Sequence, residues 1–268
     1  MLTVSNIAWR DGADSAFLLM VANAGFDGID VAPTKVWPEW QIPEDLGESF
    51  RFKLESYGLS AVGMQSLFFG AGPLNLFAQD IQDVQAFMSH MKRLAAIAKT
   101  TGVSRVVFGA PANRDPGNLE KDIAWQLAGD RLCAIGDYYE SCGIQLCMEP
   151  VPAALGGKFL RSTEETVAFL NTINHKAVRL NLDTAVLFSE AADITRTIAE
   201  CAELIGHVHA SEPGLGSFGE PQVDHATVSD ALRSIGYSGA VAIEMAARPS
   251  FESSNLSRAL DYVGSIYA

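Results

Sequence analysis

Basic residues are scarce in this sequence, which has 19 lysines and arginines against 32 aspartates and glutamates among its 268 residues. The formal net charge is −13. A surface this acidic repels a phosphate backbone, so nucleic acid is not an expected partner. Long apolar runs are also absent, since no stretch approaches the roughly 20 residues that a membrane span requires. No association with a membrane is therefore expected.

The sequence also lacks several local motifs. Its start, MLTVSNIAWRDG, lacks the basic segment followed by an apolar core and a small-residue cleavage site that marks a secretory signal. The four cysteines form no C-x-x-C pair, which favours free thiols in a reducing compartment. No G-x-G-x-x-G follows the first predicted strand, which argues against a dinucleotide-binding fold. These absences predict a soluble, cytoplasmic protein.

A short pattern recurs in which a helix is followed by glycine and then by an apolar run. It occurs as AGFDGIDV (24–31), YGLSAVGM (57–64), TGVSRVVF (101–108), CGIQLCME (142–149) and IGYSGAVAIE (235–244). A glycine past a helix end closes the helix in the left-handed conformation. Continuous apolar runs are typical of parallel strands covered by helices on both faces. LTVSNIAW (2–9), VRLNLD (178–183) and HVHA (207–210) complete eight predicted strands.

Helical patterns separate these strands. Apolar spacing of three and four residues predicts long helices over 82–100 and 117–142, and a capping box predicts another over 162–173. Shorter helices are expected near 13–24, 43–56, 191–204, 226–235 and 250–267. Alternation of eight strands with eight helices predicts one (β/α)8 TIM barrel, with residues 1–268 as a single catalytic domain. An open doubly wound sheet is the alternative.

Four residues with metal-binding side chains stand at the ends of successive apolar runs. They are Glu149, Asp183, His209 and Glu244, spaced 34, 26 and 35 residues apart. In a TIM barrel the active groups project from the carboxyl ends of the strands, so all four fall on one rim. Three carboxylates repel one another unless a cation gathers them. Mixed oxygen and nitrogen ligation predicts one divalent ion, Mn²⁺ first, with Mg²⁺ or Co²⁺ as alternatives.

For any one of these carboxylates, capping of a helix or pairing with Arg179 or Arg248 is the competing interpretation. Four residues at four successive strand ends favour the metal site. A divalent ion could bind adjacent oxygens of a hydroxy-ketone, polarise its carbonyl and stabilise an enediolate. Glu149 and Glu244, on opposite sides of the ligand set, could then serve as base and acid.

Several segments resemble the xylose-isomerase-like TIM-barrel superfamily of sugar isomerases and epimerases. They are MEP (148–150), LNLD (180–183), HVHASE (207–212), GEPQVDHATVSDALRSIGYSG (219–239) and AIE (242–244). The chain is most similar to the ketose 3-epimerase branch. The resemblance implies that the four matching positions bind Mn²⁺ or Co²⁺. It also implies that Glu149 and Glu244 exchange the proton at the third carbon of the sugar.

Three positions depart from the pattern of that branch. The epimerases carry a glutamate, a histidine and an arginine that touch the substrate's carbonyl or hydroxyls, where this sequence has Leu155, Val186 and Leu215. The proton-transfer residues are therefore retained, whereas those that recognise a free ketose are not. This predicts a substrate other than a simple hexulose and leaves the reaction class open.

Five further residues are candidates for substrate binding. Lys35 could grip a carboxylate or phosphate, or remain a solvated loop lysine, and Trp9 could form an apolar wall against a sugar face. Gln65, at the end of AVGMQ, could bind a hydroxyl or be a satisfied amide at the core edge. His207 shares the strand parity of His209, so we expect a hydrogen-bonding role rather than ligation. Glu212 is expected to orient a loop, contact substrate or cap a helix.

The leading hypothesis is a metal-dependent isomerase or epimerase of carbohydrate metabolism that acts on a sugar or sugar-like hydroxy-ketone through an enediolate. A lyase on the same barrel, of the keto-inositol or 3-dehydroshikimate dehydratase type, is the alternative. A non-enzymatic barrel has no need of three clustered carboxylates. An apurinic endonuclease would need more than the 5 histidines present. Related barrels form dimers or tetramers, so a homodimer or homotetramer is expected.

Overall fold

Eight parallel strands form a closed barrel in chain order in the computed structural model, which describes residues 1–10, 14–248 and 253–268. Strand β1 pairs with β8 through Leu2 opposite Val241 and Val4 opposite Ile243, which closes the barrel. The predicted TIM barrel is confirmed, and the open sheet is excluded. The strands are β1 Leu2–Ser5, β2 Gly28–Val31, β3 Ser60–Met64, β4 Arg105–Phe108, β5 Gln145–Met148, β6 Val178–Asp183, β7 Ile205–Ser211 and β8 Val241–Glu244.

Helices connect consecutive strands and cover the barrel. They are α1 Asp14–Asn23, α2 Pro33–Val36, α3 Glu44–Glu55, α4 Ile81–Thr101, α5 Lys121–Ser141, α6 Thr163–Ile173, α7 Thr184–Ser189, α8 Ile194–Glu200, α9 His225–Ser234 and α10 Ser253–Tyr267. The short helices α2 and α7 were not predicted. The expected starts of the first and last helices, at 13 and 250, lie outside the described residues. Within the described ranges, no helix is both long and apolar enough to cross a membrane.

The recurring glycines end helices as the sequence pattern indicates. All five have φ between 68° and 89°. Gly102 follows α4 with φ 89°, and its N–H donates to the carbonyl of Ala98. Residues other than glycine rarely adopt this backbone conformation. The turn lets the chain leave the helix and enter β4 within three residues.

Strand β1 is shorter than the prediction over 2–9. The strand ends at Ser5, whose Oγ accepts a hydrogen bond from the N–H of Ile7 and caps a short 3-10 turn, Asn6–Ala8. Beyond Ser5, a side chain replaces the backbone as hydrogen-bond acceptor towards the neighbouring chain segment. The Oδ1 atom of Asn6 accepts from the N–H of Ala32 at 2.8 Å. Trp9 is therefore not at a strand end.

The inside of the barrel is polar at the level below its carboxyl-terminal rim. Thr3, Asp30, Asn181, His207 and His209 are fully buried. The side chain of His207 on β7 contacts that of Asp30 on β2, and these strands are not neighbours in the barrel. Barrel interiors are usually filled by branched apolar side chains. Buried polar groups at this level indicate where the functional site lies.

Candidate metal centre

The four predicted ligands meet at the carboxyl-terminal rim of strands β5 to β8. Glu149 directly follows β5, Asp183 and Glu244 are the last residues of β6 and β8, and His209 lies near the end of β7. Each offers one ligand atom, and the four atoms lie within 4.8 Å of one another. A single cation could contact all four groups at once.

The imidazole of His209 lies at the centre of this cluster. Its Nδ1 is 2.9 Å from Oε1 of Glu149 and 3.3 Å from Oε2 of Glu244. Neither contact has hydrogen-bond geometry, and both ring nitrogens lack a hydrogen-bond partner among the described residues although the ring is fully buried. Buried polar atoms rarely remain without a partner. Three carboxylates and one imidazole fit a divalent ion that prefers oxygen ligands, which would supply this partner.

The charges of the cluster are strongly coupled. Burial, together with the nearby carboxylates of Glu149 and Glu244, raises the pKa of Asp183 to about 7. Burial acts to raise the pKa of Glu149, but His209 and Arg114 hold it below its ordinary value. Burial acts to lower the pKa of His209, yet Glu244 and Glu149 raise it well above its usual range. Without a cation, the cluster therefore holds protons near neutral pH.

Those protons predict a pH dependence of metal binding. Below about pH 7 the raised pKa of Asp183 keeps that carboxyl protonated, so a metal must displace the proton. We expect the affinity for Mn²⁺ to rise as the pH increases through about 7, and proton release to be larger on the acidic side. Isothermal titration calorimetry in buffers of different ionisation enthalpy measures both quantities. An affinity that does not change across this window would contradict the coupling.

Two polar residues that were not predicted orient the carboxylates. Nδ2 of Asn181 donates to Oε1 of Glu149 at 2.7 Å, and Oγ of Ser211 donates to Oδ2 of Asp183 at 2.8 Å. Strand parity could have identified both, because Asn181 lies two residues before Asp183 and Ser211 lies two residues after His209.

Two glycines make room for carboxylates inside the barrel. A Cβ on Gly109 would lie 1.9 Å from Oε2 of Glu149, and a Cβ on Gly63 would lie 2.1 Å from Oδ2 of Asp30. Any other residue at either position would displace the carboxylate. This requirement could not be predicted from the sequence, because each glycine is on a different strand from the carboxylate that it accommodates, or just beyond that strand.

His207 lies below the cluster formed by the four predicted ligands. Its Nε2 is 2.6 Å from Oδ2 of Asp30, and Oγ1 of Thr3 donates to the other carboxylate oxygen at 2.9 Å. The ring is fully buried and meets that of His209 edge-on. The hydrogen-bonding role fits this placement, whereas the predicted contact with substrate does not. Asp30, an acidic residue in the apolar strand GIDV, was missed.

Trp9, Lys35 and Gln65 do not line the cavity beside the cluster. Trp9 is 1% exposed and stacks on Phe17, so it cannot form a wall against a sugar. Its carbonyl accepts from Nζ of Lys35, which lies on α2. Gln65 is buried and donates to Ser5. The turn at residues 6–8 directs Trp9 into the core. The predicted substrate contacts of Trp9, Lys35 and Gln65 therefore do not fit where these residues lie.

A cavity of about 570 Å³ opens beside the cluster. Glu149, Asp183 and Glu244 are part of its lining, as is Glu212. The carboxylate of Glu212 accepts from the backbone N–H of Gln222 at 2.9 Å and contacts Nε2 of His225 at 3.1 Å. Glu212 thus holds the loop after β7 in place while facing the cavity. The capping alternative does not apply, because Asp224 caps helix α9.

The three positions that depart from the ketose 3-epimerase pattern line this same cavity. Leu155 follows β5, Val186 is on α7 after β6, and Leu215 is in the loop after β7. The departures are therefore not scattered over the surface. They belong to the apolar part of that lining, the apolar wall, and Glu149, Asp183 and Glu244 line the same cavity.

Comparison with known proteins finds relatives among sugar epimerases. A family model described as xylose isomerase-like TIM barrel matches residues 18–263. A D-psicose 3-epimerase from Enterocloster bolteae is 26% identical over 233 residues, covering 84% of this chain and 74% of that protein. A D-psicose 3-epimerase from Ruminiclostridium cellulolyticum is 25% identical over 126 residues. This second match spans 47% of this chain and 43% of the relative, which is less than half of either.

Solved structures share the architecture. The crystal structure of a D-psicose 3-epimerase in the presence of D-fructose superimposes with a TM-score of 0.83 and covers 99% of both chains. The sequence identity in this superposition is 17%. At that identity the likeness shows the fold alone.

Proposed function

Because the chain belongs to the xylose isomerase-like TIM-barrel family, we propose that it is a divalent-metal-dependent epimerase or isomerase of a sugar-like hydroxy-ketone. The observation that carries the proposal is the convergence of four ligand atoms within 4.8 Å at the strand ends. The names of the relatives, which are ketose 3-epimerases, support the same chemistry. The proposed substrate is a small carbohydrate-like molecule.

Glu149 and Glu244 are the proposed proton carriers. They approach the same nitrogen of His209 from strands β5 and β8, at 2.9 and 3.3 Å. Both carboxylates keep some exposure to the cavity, which a group that exchanges protons with substrate requires. Asp183 is less suited, because its two oxygens accept hydrogen bonds from Val186 and Ser211 at 2.8 Å each. We assign Asp183 and His209 to ligation alone.

In the proposed reaction one glutamate removes the proton from the carbon next to the carbonyl. The electron pair of that C–H bond moves towards the carbonyl oxygen and gives an enediolate. The second glutamate returns a proton to the opposite face of the same carbon, which inverts it. Alternatively, a proton is returned to the former carbonyl carbon while the hydroxyl proton of the first carbon moves to the former carbonyl oxygen, which isomerises the sugar. When bound, the cation polarises the carbonyl and neutralises the charge that develops on its oxygen.

Other parts of the proposal concern the ion, the location and the assembly. Mn²⁺ is the proposed ion, because the ligand set mixes oxygen and nitrogen. A cytoplasmic location is proposed from the four free thiols. Residues 1–268 are proposed to be one catalytic domain, which the pairing of the first strand with the last supports. A homodimer or homotetramer is the proposed assembly.

The lyase is retained as a second candidate because of a specific observation. Leu155, Val186 and Leu215 stand where the ketose 3-epimerases carry polar recognition residues, and all three line the cavity. A dehydratase begins with the same proton abstraction and then expels a hydroxyl from the next carbon. The two reactions therefore differ only after the shared first step.

Incubation in D₂O with Mn²⁺ separates these candidates. Ketoses, keto-inositols and sugar phosphates serve as substrates, and NMR detects deuterium while absorbance detects an enone. We expect deuterium at one carbon next to the carbonyl without loss of water. An ultraviolet-absorbing enone would instead favour the lyase. Absence of deuterium from every compound, with the metal bound, would reject proton transfer altogether.

A further inference from the structure

The apolar wall beside the metal cluster has a consequence for the substrate. We infer that the substrate carries an apolar group beyond its reacting hydroxy-ketone end, in place of the free hydroxyls of a ketohexose. This inference rests on the proposed function, which places the hydroxy-ketone at Glu149, Asp183 and Glu244. Those carboxylates and the apolar wall line one continuous cavity. A molecule that fills this cavity therefore contacts both the carboxylates and the wall.

The apolar wall is formed by side chains from the connections that follow β4, β5, β6 and β7. Leu155, after β5, is 63% exposed and belongs to the cavity lining. Val186 and Leu215 come from the connections after β6 and β7. The other apolar side chains of the lining are those of Pro111, Pro150, Val151, Pro152, Ala154, Ala185 and Pro213. Such a surface binds hydrocarbon and gives no hydrogen bonds.

The other polar side chains of the lining are already engaged. Oγ of Ser189 donates to the carbonyl of Val186, and Oγ of Ser211 donates to Asp183. Glu212 accepts from two backbone N–H groups and contacts His225. The hydroxyl hydrogens of both serines are therefore used, and a carboxylate only accepts. A chain of free hydroxyls here would lose water and find no side-chain donor among these three residues, which is unfavourable.

The wall is also a fixed part of the fold. Leu215 has φ 55°, in the left-handed region that a leucine rarely adopts. Its carbonyl accepts from the N–H of Ala246, just past β8, and the neighbouring Gly214 carbonyl accepts from Nη2 of Arg248 at 2.6 Å. Two contacts thus tie the loop after β7 to the segment after β8. They hold Leu215 at the cavity despite its unfavourable backbone conformation.

Two kinds of substrate carry such an apolar group. One is a sugar whose terminal carbon lacks its hydroxyl, and the other bears an alkyl or aryl group attached through oxygen. The volume of about 570 Å³ lies within the range of ~300–1,000 Å³ found for small-molecule sites, so there is room for either. Probes of both kinds distinguish them.

The test compares three compounds on the Mn²⁺-loaded protein. They are D-fructose, its terminally deoxygenated analogue and its terminal O-benzyl ether. Calorimetry measures binding, and deuterium incorporation from D₂O measures turnover separately. We expect at least one apolar probe to bind about tenfold or more tightly than D-fructose, since a single methylene in an apolar pocket contributes at least this much. Preference for the ether alone identifies an attached group, and preference for both identifies the shared apolar surface.

Variants locate the preference. Leu155→Gln combined with Leu215→Asn makes the wall polar, and asparagine tolerates the left-handed backbone of position 215. We expect the preference to fall below about threefold, which is under the contribution of one methylene. Leu46→Gln, a similar change at an exposed leucine on α3 outside the cavity lining, should keep it. Circular dichroism and metal content verify that each variant is folded.

Two outcomes would overturn the inference. One is that D-fructose binds as tightly as both apolar probes, and the other is that neither apolar probe binds measurably. Failure of the proposed function is recognised differently. If an apolar probe binds preferentially but no compound incorporates deuterium, the apolar subsite stands and the proton-transfer chemistry does not. If D-fructose exchanges deuterium without any preference, the chemistry stands and the inference is rejected.

Discussion

Replacing Glu149 or Glu244 by glutamine is expected to reduce turnover by about 10²–10⁴-fold, the usual contribution of a positioned acid or base. Glutamine has nearly the same shape but cannot accept a proton from carbon at neutral pH. The amide of Asn181 already donates to Glu149 at 2.7 Å, so the side chain at 149 keeps a partner after the change. Steady-state kinetics on the best substrate measures the loss.

Because both glutamates are also proposed ligands, a loss of activity has two sources that must be separated. Metal content after gel filtration tells whether Mn²⁺ is retained, and activity is measured again with Mn²⁺ in excess. Glu220→Gln is the matched control, since Glu220 is exposed and absent from the cavity lining. Turnover close to normal in either glutamine variant at saturating metal would refute the assignment of that residue as a proton carrier.

Removal of the divalent ion is expected to abolish deuterium exchange and to lower the stability of the protein. Four groups from four strands would lose their common partner, and Glu149, Asp183 and Glu244 would again repel one another. By mass action, metal at ~100 times its dissociation constant stabilises the fold by ~2.7 kcal/mol. For a chain of this size that corresponds to a rise in Tm of a few degrees. Differential scanning calorimetry with and without chelator measures it.

Asp183→Asn tests the same site by removing one predicted ligand instead of the ion. Asparagine can keep an oxygen acceptor for Val186 or Ser211 but removes one ligand charge. We expect about one Mn²⁺ per chain in the normal protein and much less in the variant, by elemental mass spectrometry. Asp261→Asn, which alters an exposed carboxylate on α10, should keep both metal and activity. Full exchange activity after chelation would mean that the cluster is not a catalytic metal site.

The strand ends show how far the sequence could be interpreted. Strands β2, β4, β6 and β8 end at Val31, Phe108, Asp183 and Glu244, as the apolar runs predicted. Strand β1 does not, because Asn6 bonds to Ala32 at the end of the neighbouring strand β2 and the chain turns there. That contact joins residues 26 positions apart, and nothing in the run 2–9 indicates it. For this reason Trp9 was predicted to line the site, whereas it lies in the core.

The convergence of the four predicted ligands could be expected from where they stand in the sequence. Each of the four residues ends an apolar run, and parallel strands in a barrel deliver their carboxyl ends to one rim whatever the details of packing. The orienting groups required more information. Asp30 meets His207 across the barrel, 177 residues apart in the chain, and Gly109 matters only because Glu149 occupies the space beside it.

Alone, the sequence determined the barrel, the order of its strands and the convergence of Glu149, Asp183, His209 and Glu244, because apolar runs, helix-ending glycines and strand parity act over a few residues. Tertiary structure decided which side chains face the cavity. It buried Trp9, enclosed His207 with Asp30, and brought Leu155, Val186 and Leu215 into the lining of one cavity. Those outcomes depend on loop conformations and on contacts between distant segments, which only the closed barrel fixes.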